Sequence, residues 1–229
     1  MVPPGRLSRL LDQRGPLSIH RKGRKKAAGR PAPAGLAAFK RRLDRFLGPF
    51  VGTLAGWGVT PDHLTLFGVL LTAPVAVFLW MGKFPLAGLW LLFAGAFDTL
   101  DGAMARNLGR KTKFGAFYDS TMDRFSEALV FVGFILLYCR RQQPEELILA
   151  FAASVFSQTV PYVRARAEGL GLKCEVGILP RWVRVIVLGL GLILGVPTWA
   201  LWIVAVGSFI TTVQRILWVR KLTAGAGPP

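Results

Sequence analysis

The chain has 229 residues, 52% of them hydrophobic and 18% charged, with a formal net charge of +17. With 7 Trp and 16 Phe and a mean hydropathy of +0.45, this composition points to a membrane protein and excludes an ordinary water-soluble domain. Cys139 and Cys174 fall on opposite predicted faces of the bilayer, which argues against a disulfide or a thiolate metal site.

Residues 1–35 are rich in Arg, Lys, Gly, Pro and Ala without apolar periodicity, so a basic, largely disordered cytoplasmic tail is expected. Its basic run, from His20 to Lys26, reads either as a nucleic-acid tail or as a segment drawn to anionic lipid. The membrane-embedded chain that follows favours lipid, at about 1 kcal/mol per basic residue. No secretory signal is visible. Over residues 36–51, Phe39, Leu43, Phe46, Leu47 and Phe50 recur at helical spacing with Lys40, Arg41, Arg42 and Arg45 between them. That pattern describes an amphipathic helix lying in the membrane interface.

Next comes Thr60-Pro61-Asp62-His63-Leu64-Thr65, in which Pro61 and Asp62 suit the first turn of a helix. Six apolar stretches follow: Leu64 to Met81, Phe84 to Ala105, Ala116 to Cys139, Leu147 to Ala165, Trp182 to Gly195 and Thr198 to Val219. The expected fold is therefore an all-α integral membrane protein, six transmembrane helices preceded by the interfacial helix. The six-helix domain is expected over 52–222, with a disordered C-terminus at 223–229. Lys and Arg concentrate before span one, between spans two and three, between four and five, and after six. The positive-inside rule then puts both termini and the near ends of spans two and three in the cytoplasm.

Four aspartates sit in this apolar region. Asp98 and Asp101 are three residues apart, Asp119 and Asp123 four apart, so each pair shares one face of its helix. A carboxylate at bilayer depth costs roughly 2.5–3.5 kcal/mol, so four together call for a shared counter-charge. All-oxygen ligands suit Mg²⁺ or Mn²⁺, and two such ions held by shared carboxylates would serve phosphoryl transfer. Asp98 and Asp119 are expected to bridge or share the ions, with Asp101 beside them. The bland alternative is two unrelated pairs capping helix ends. His20 and His63 have no partner set and read as non-catalytic.

The run DxxDGxxAR at 98–106, eight further residues, then GxxxDxxxD at 115–123 is matched without substitution. It resembles the signature of the CDP-alcohol phosphotransferases, integral membrane enzymes of phospholipid synthesis. The resemblance implies attack of an alcohol on the β-phosphorus of CDP-diacylglycerol with release of CMP, and an interfacial helix before span one. It implies that Asp123 is both metal ligand and general base, and that Gly102 and Gly115 let the nucleotide approach the backbone. Asp62 and Thr65 match the family's PDxxT run as nucleotide contacts, although plain capping explains part of it. Arg106 is placed to meet a phosphate oxygen or to balance charge. Thr112, with Lys111 and Lys113, either touches the nucleotide phosphates or belongs to a solvated loop.

Arg164, Arg181, Arg184 and Arg215 are expected on the aspartates' face of the membrane. A cluster beyond what the metals compensate suggests an acceptor bringing its own phosphate, inositol 1-phosphate first and glycerol 3-phosphate second. Their runs look similar to bacterial phosphatidylinositol-phosphate synthases, though Arg164 stands where lysine is common and Pro180–Arg184 lacks the usual glutamates. Simple enforcement of topology is the alternative. A divalent-cation transporter and a basic membrane scaffold are the competing function classes; the first needs polar groups continuing outward past Asp98. The family resemblance also implies a homodimer.

Overall fold

The computed structural model describes residue 56, residues 60–107 and residues 112–224, with the backbone alone over 99–107. The predicted tail at 1–35, the interfacial helix at 36–51, Lys111 and residues 225–229 lie outside the described residues. Six α-helices follow one another: α1 (Pro61–Trp80), α2 (Phe84–Asn107), α3 (Lys113–Arg140), α4 (Pro144–Gly169), α5 (Arg181–Ile193) and α6 (Pro197–Thr223). Each of the six predicted stretches corresponds to one of them, and no strand occurs among the described residues.

Local chemistry sets the helix ends. Thr60 caps α1 through a reciprocal box: its hydroxyl accepts from the His63 N–H at 3.3 Å, and the His63 ring nitrogen accepts from the Thr60 N–H at 3.4 Å. That gives His63 a structural occupation. Helices α1, α3 and α5 each end in a tight reversal with a left-handed residue, Gly82 at φ 74°, Gln142 at φ 56° and Gly195 at φ 72°. The N–H three residues past each helix reaches back to an orphan carbonyl, Lys83 to Phe78, Gln143 to Tyr138 and Val196 to Gly191. Proline then restarts α4 and α6, at Pro144 and Pro197.

The packing order closes a ring. Helix α1 lies against α2 and α3, α3 against α4, α4 against α6, α6 against α5, and α5 against α2. Because the helices alternate in direction, the three tight reversals share one end of the bundle, and the C-terminal ends of α2 and α4 with the first residues of α3 and α5 share the other. An apolar core fills the first end, with Val75, Leu79, Phe134, Leu137, Leu192 and Leu201 all at most 1% exposed. The aspartates stand at the other end.

The outside of the ring is apolar as well: Phe67, Leu70, Leu89, Phe151, Leu194 and Trp199 are exposed. Such a surface suits hydrocarbon rather than water. Among the described residues, α1, α4 and α6 are long and apolar enough to cross a membrane. Helix α5, with 13 residues, is about 20 Å long at 1.5 Å per residue, short of a hydrocarbon core of about 30 Å.

Close helix crossings rest on glycine. A Cβ added to Gly133 of α3 would stand 2.7 Å from the Ala76 Cα of α1, so main chain blocks any side chain there. Replacing Gly133 by Val is expected to force α1 and α3 apart and lower stability by about 1–3 kcal/mol, read as a drop in the thermal unfolding midpoint in detergent.

Candidate active site

Helix α2 carries Asp98 and α3 carries Asp119 and Asp123 toward the same point, where one carboxylate oxygen from each lies within 4.8 Å of the others. The side chains of Asp101, Gly102 and Arg106 lie outside the described residues; the backbone of α2 runs unbroken through all three. Arg181, the first residue of α5, enters this cluster from across the ring. Its Nη1 stands 2.5 Å from Asp98 Oδ2 and 2.6 Å from Asp123 Oδ1, so one nitrogen joins carboxylates of two helices. Three carboxylate oxygens gathered at one point, two of them already on a cationic nitrogen, fit a hard divalent cation.

Two further features border the cluster. Thr112 caps α3, its hydroxyl accepting from the Gly115 N–H at 2.8 Å. A Cβ at Gly115 would lie 3.0 Å from that hydroxyl and 3.4 Å from Asp62 Oδ1, which brings Asp62, Thr112 and Gly115 together. Thr65 turns its hydroxyl back to the Pro61 carbonyl at 3.1 Å. Gly68 faces Asp98, an added Cβ standing 4.0 Å from Oδ1. From there a cavity lined by Thr72, Ser126, Glu127 and Arg184 runs inward between α1, α2, α3 and α5.

The predicted arginines divide by what their guanidiniums touch. Arg164 lies at the surface, paired with Glu168 at 2.8 Å one turn on, an exposed pair worth little. Arg184 is 2% exposed. It donates to Glu127 Oε1 through Nε and Nη2 at 2.9 and 2.8 Å, and through Nη1 to the Leu179 carbonyl at 3.1 Å. Arg215, also buried, donates to the carbonyls of Val176 at 2.9 Å and Val160 at 2.5 Å. That buried guanidinium is thus satisfied by main chain rather than by an acidic side chain.

Arg215 belongs to a row on α6 that holds the connection leading to Arg181. Thr211 accepts from the Leu179 N–H at 3.0 Å, Arg215 takes Val176, and Trp218 donates to the Lys173 carbonyl at 3.2 Å. Gly177, at φ 135°, lies flush against Thr211, where a Cβ would overlap the side chain.

Sequence reasoning missed Glu127. It lies four residues after Asp123 on the same face of α3, and accepts from Ser157 Oγ of α4 at 2.6 Å, from Arg184 of α5, and from Arg124 Nη1 at 2.9 Å. The signal was available: a third acid continuing the Asp119, Asp123 spacing into an apolar run. Cys139 is exposed and Cys174 buried, both as free thiols.

A family model described as CDP-alcohol phosphatidyltransferase matches residues 58–210. The chain belongs to that family. It is a transferase, and the aspartate cluster of α2 and α3 lies inside the matched region. The chain is 38% identical over 202 residues to a phosphatidylinositol phosphate synthase of Streptomyces avermitilis, covering 80% of this chain and 82% of that protein. An archaetidylinositol phosphate synthase of Pyrococcus horikoshii is 35% identical over 170 residues, covering 74% and 88%. Crystal structures of the Mycobacterium tuberculosis phosphatidylinositol phosphate synthase superpose on this phosphatidyltransferase with a TM-score of 0.70. The one with CDP-DAG bound is 34% identical and the alignment covers 76% of this chain and 94% of that one. The one with manganese and citrate is 35% identical, with 75% and 88% covered.

Replacing Arg215 by Lys keeps the charge but cannot serve both carbonyls. Leaving one unsatisfied is expected to lower stability by about 1–3 kcal/mol, measured as a reduced unfolding midpoint in detergent.

Proposed function

We propose that this phosphatidyltransferase moves the phosphatidyl group of CDP-diacylglycerol to inositol 1-phosphate, giving phosphatidylinositol phosphate and CMP. The observation that carries the reading is the meeting of Asp98 and Asp123 with Arg181 beside Asp119, in a chain whose relatives include a phosphatidylinositol phosphate synthase and an archaetidylinositol phosphate synthase. Glycerol 3-phosphate is the runner-up acceptor.

In this reading Asp98, Asp119 and Asp123, with Asp101 by the family pattern, would hold two Mg²⁺ or Mn²⁺ ions. When bound, the ions neutralise charge on the diphosphate and polarise the phosphorus under attack. Asp123 accepts the proton of the acceptor hydroxyl as its oxygen forms the new bond to the β-phosphorus and the bond to the CMP oxygen breaks. Arg181, already bound to two of the carboxylates, turns its remaining donors to a phosphate oxygen. Asp62, Thr65, Gly102, Arg106, Thr112 and Gly115 form the nucleotide side. Arg181 and Arg164 meet the acceptor's phosphate, while Arg184 and Arg215 fix the segment that delivers Arg181.

The six helices are read as six spans, the short α5 completed by its flanking residues, with both termini and the aspartates on the cytoplasmic side. The positive-inside pattern supports that orientation, and the family resemblance supports a homodimer. In the same reading, residues 52–222 make the catalytic domain, 1–35 the basic tail, 36–51 the interfacial helix and 223–229 the terminal extension. The transporter reading lacks a route among the described residues, because the end opposite the aspartates is filled by Val75, Leu79, Phe134 and Leu137.

With labelled CDP-diacylglycerol in detergent and Mg²⁺ or Mn²⁺ present, CMP release is expected with inositol 1-phosphate and not with serine, inositol or glycerol 3-phosphate. Turnover with glycerol 3-phosphate alone would select the runner-up. Asp123→Asn is expected to lower kcat by about 10²–10⁴-fold; a wild-type rate would remove Asp123 as the base. Mn²⁺ at 100 times its Kd is expected to stabilise the wild-type protein by about 2.7 kcal/mol, an effect that Asp98→Asn abolishes in thermal unfolding.

A further inference from the structure

One turn inside the aspartates, α3 and α5 meet a second time. Arg184 follows Arg181 by three residues and Glu127 follows Asp123 by four, so the two arginines and the two acids stand as consecutive rungs between the same helices. The inner rung is the more enclosed: the side chain of Arg184 is 2% exposed and that of Glu127 10%, against 27% for Arg181 and 17% for Asp123. In the ring, α3 packs on α1 and α4 while α5 packs on α2 and α6. The relation of α3 to α5 therefore rests on these side chains more than on backbone packing.

Glu127 is the hub of the inner rung. Oε1 receives Ser157 Oγ of α4 at 2.6 Å and both Nε and Nη2 of Arg184 at 2.9 and 2.8 Å, and Oε2 receives Arg124 Nη1 at 2.9 Å. Arg124 in turn stands 3.7 Å from Asp123 Oδ2, and its carbonyl accepts from Gln158 Nε2 of α4 at 3.0 Å. One carboxylate thus ties three helices and compensates two guanidiniums that flank the metal-binding acids. Buried charges in such a network are costly to leave half-paired.

We propose that Glu127 is a positioning residue for the transfer: through Arg184 it sets where α5 delivers Arg181 against Asp98 and Asp123, and by neutralising Arg124 and Arg184 it keeps the cluster anionic enough to hold a divalent cation. The proposal rests on the transfer reaction described above. Two physical effects follow. Displacing Arg181 misaligns a group that holds the acceptor's phosphate and with it the attacking hydroxyl, and a misplacement of about 1 Å can lower a rate by about 10²-fold. Removing the Glu127 charge leaves two uncompensated cations one turn from the acids, which repel an incoming divalent ion.

Charge and tie are separated by two variants of the full-length protein in detergent. Glu127→Gln is expected to lower kcat about tenfold or more, to change KM for CDP-diacylglycerol by less than about threefold, and to weaken Mn²⁺ binding on the order of tenfold by titration calorimetry. The double variant Glu127→Met with Arg184→Met removes one charge of each sign and replaces the pair by apolar chains, an exchange often neutral for stability. Arg124 and Ser157 still lose their acceptor in it, so it is expected to be less stable than wild type but to regain Mn²⁺ affinity to within about threefold, with kcat still reduced about tenfold.

If the single variant does not fold, the double variant carries the test. Recovery of wild-type kcat in the double variant overturns the positioning role. So does a rise in acceptor KM with kcat intact, which would assign Arg184 to the acceptor. Wild-type kcat and Mn²⁺ affinity in Glu127→Gln overturn both parts. Absence of turnover by the wild-type protein with every acceptor would sink the proposed reaction instead; the Glu127 proposal then stands or falls on Mn²⁺ affinity, unchanged affinity in Glu127→Gln overturning it.

Discussion

The interaction on which the rest depends is the meeting of Arg181 with Asp98 and Asp123 at the polar end of the helix ring. Carboxylates on α2 and α3 face each other across a space bounded by apolar helices, and an isolated acid there is expensive. A cation must answer them. The chain supplies one guanidinium from α5 and a donor set suited to divalent ions, and Gly68 leaves the space beside Asp98 free of a side chain.

That requirement explains much of the architecture. To put Arg181 in place, the connection from α4 must end at a fixed point, and α6 holds it there through Thr211, Arg215 and Trp218, each bonded to a different main-chain group of residues 173–179. The opposite end of the ring carries the packing, with aromatic and aliphatic side chains from all six helices. Stability and chemistry are thus segregated along the helix axes, and the tight reversals at the packed end keep the six helices in register for the open one.

The helices were legible because bilayer-length hydrophobicity is a strong signal, and their ends because Gly82, Gly195, Pro144 and Pro197 punctuate it. The aspartates were legible for the same physical reason that makes them costly: a charge in an apolar run demands a purpose. Glu127 met that criterion too, continuing the four-residue spacing of Asp119 and Asp123, yet the family pattern stops at Asp123. The arginines were legible in number but not in destination. A buried guanidinium is equally well satisfied by a phosphate, a carboxylate or two carbonyls, and only geometry distinguishes Arg215 on Val160 and Val176 from Arg181 on Asp98 and Asp123.

The same ambiguity bears on how acceptor choice can change within such a scaffold. Arg184 and Arg215 are committed to protein groups, so altering them disturbs the frame before it alters recognition. Arg164, exposed and held among the described residues by Glu168, can exchange that partner for an anion at little cost. In the reading proposed above, selection between phosphorylated and unphosphorylated acceptors falls on the exposed Arg164 and on the donors Arg181 keeps after binding its two aspartates. The frame one turn below, from Glu127 to Arg184 and Ser157, stays common to whatever alcohol is used, since every acceptor needs the same in-line approach to the same phosphorus.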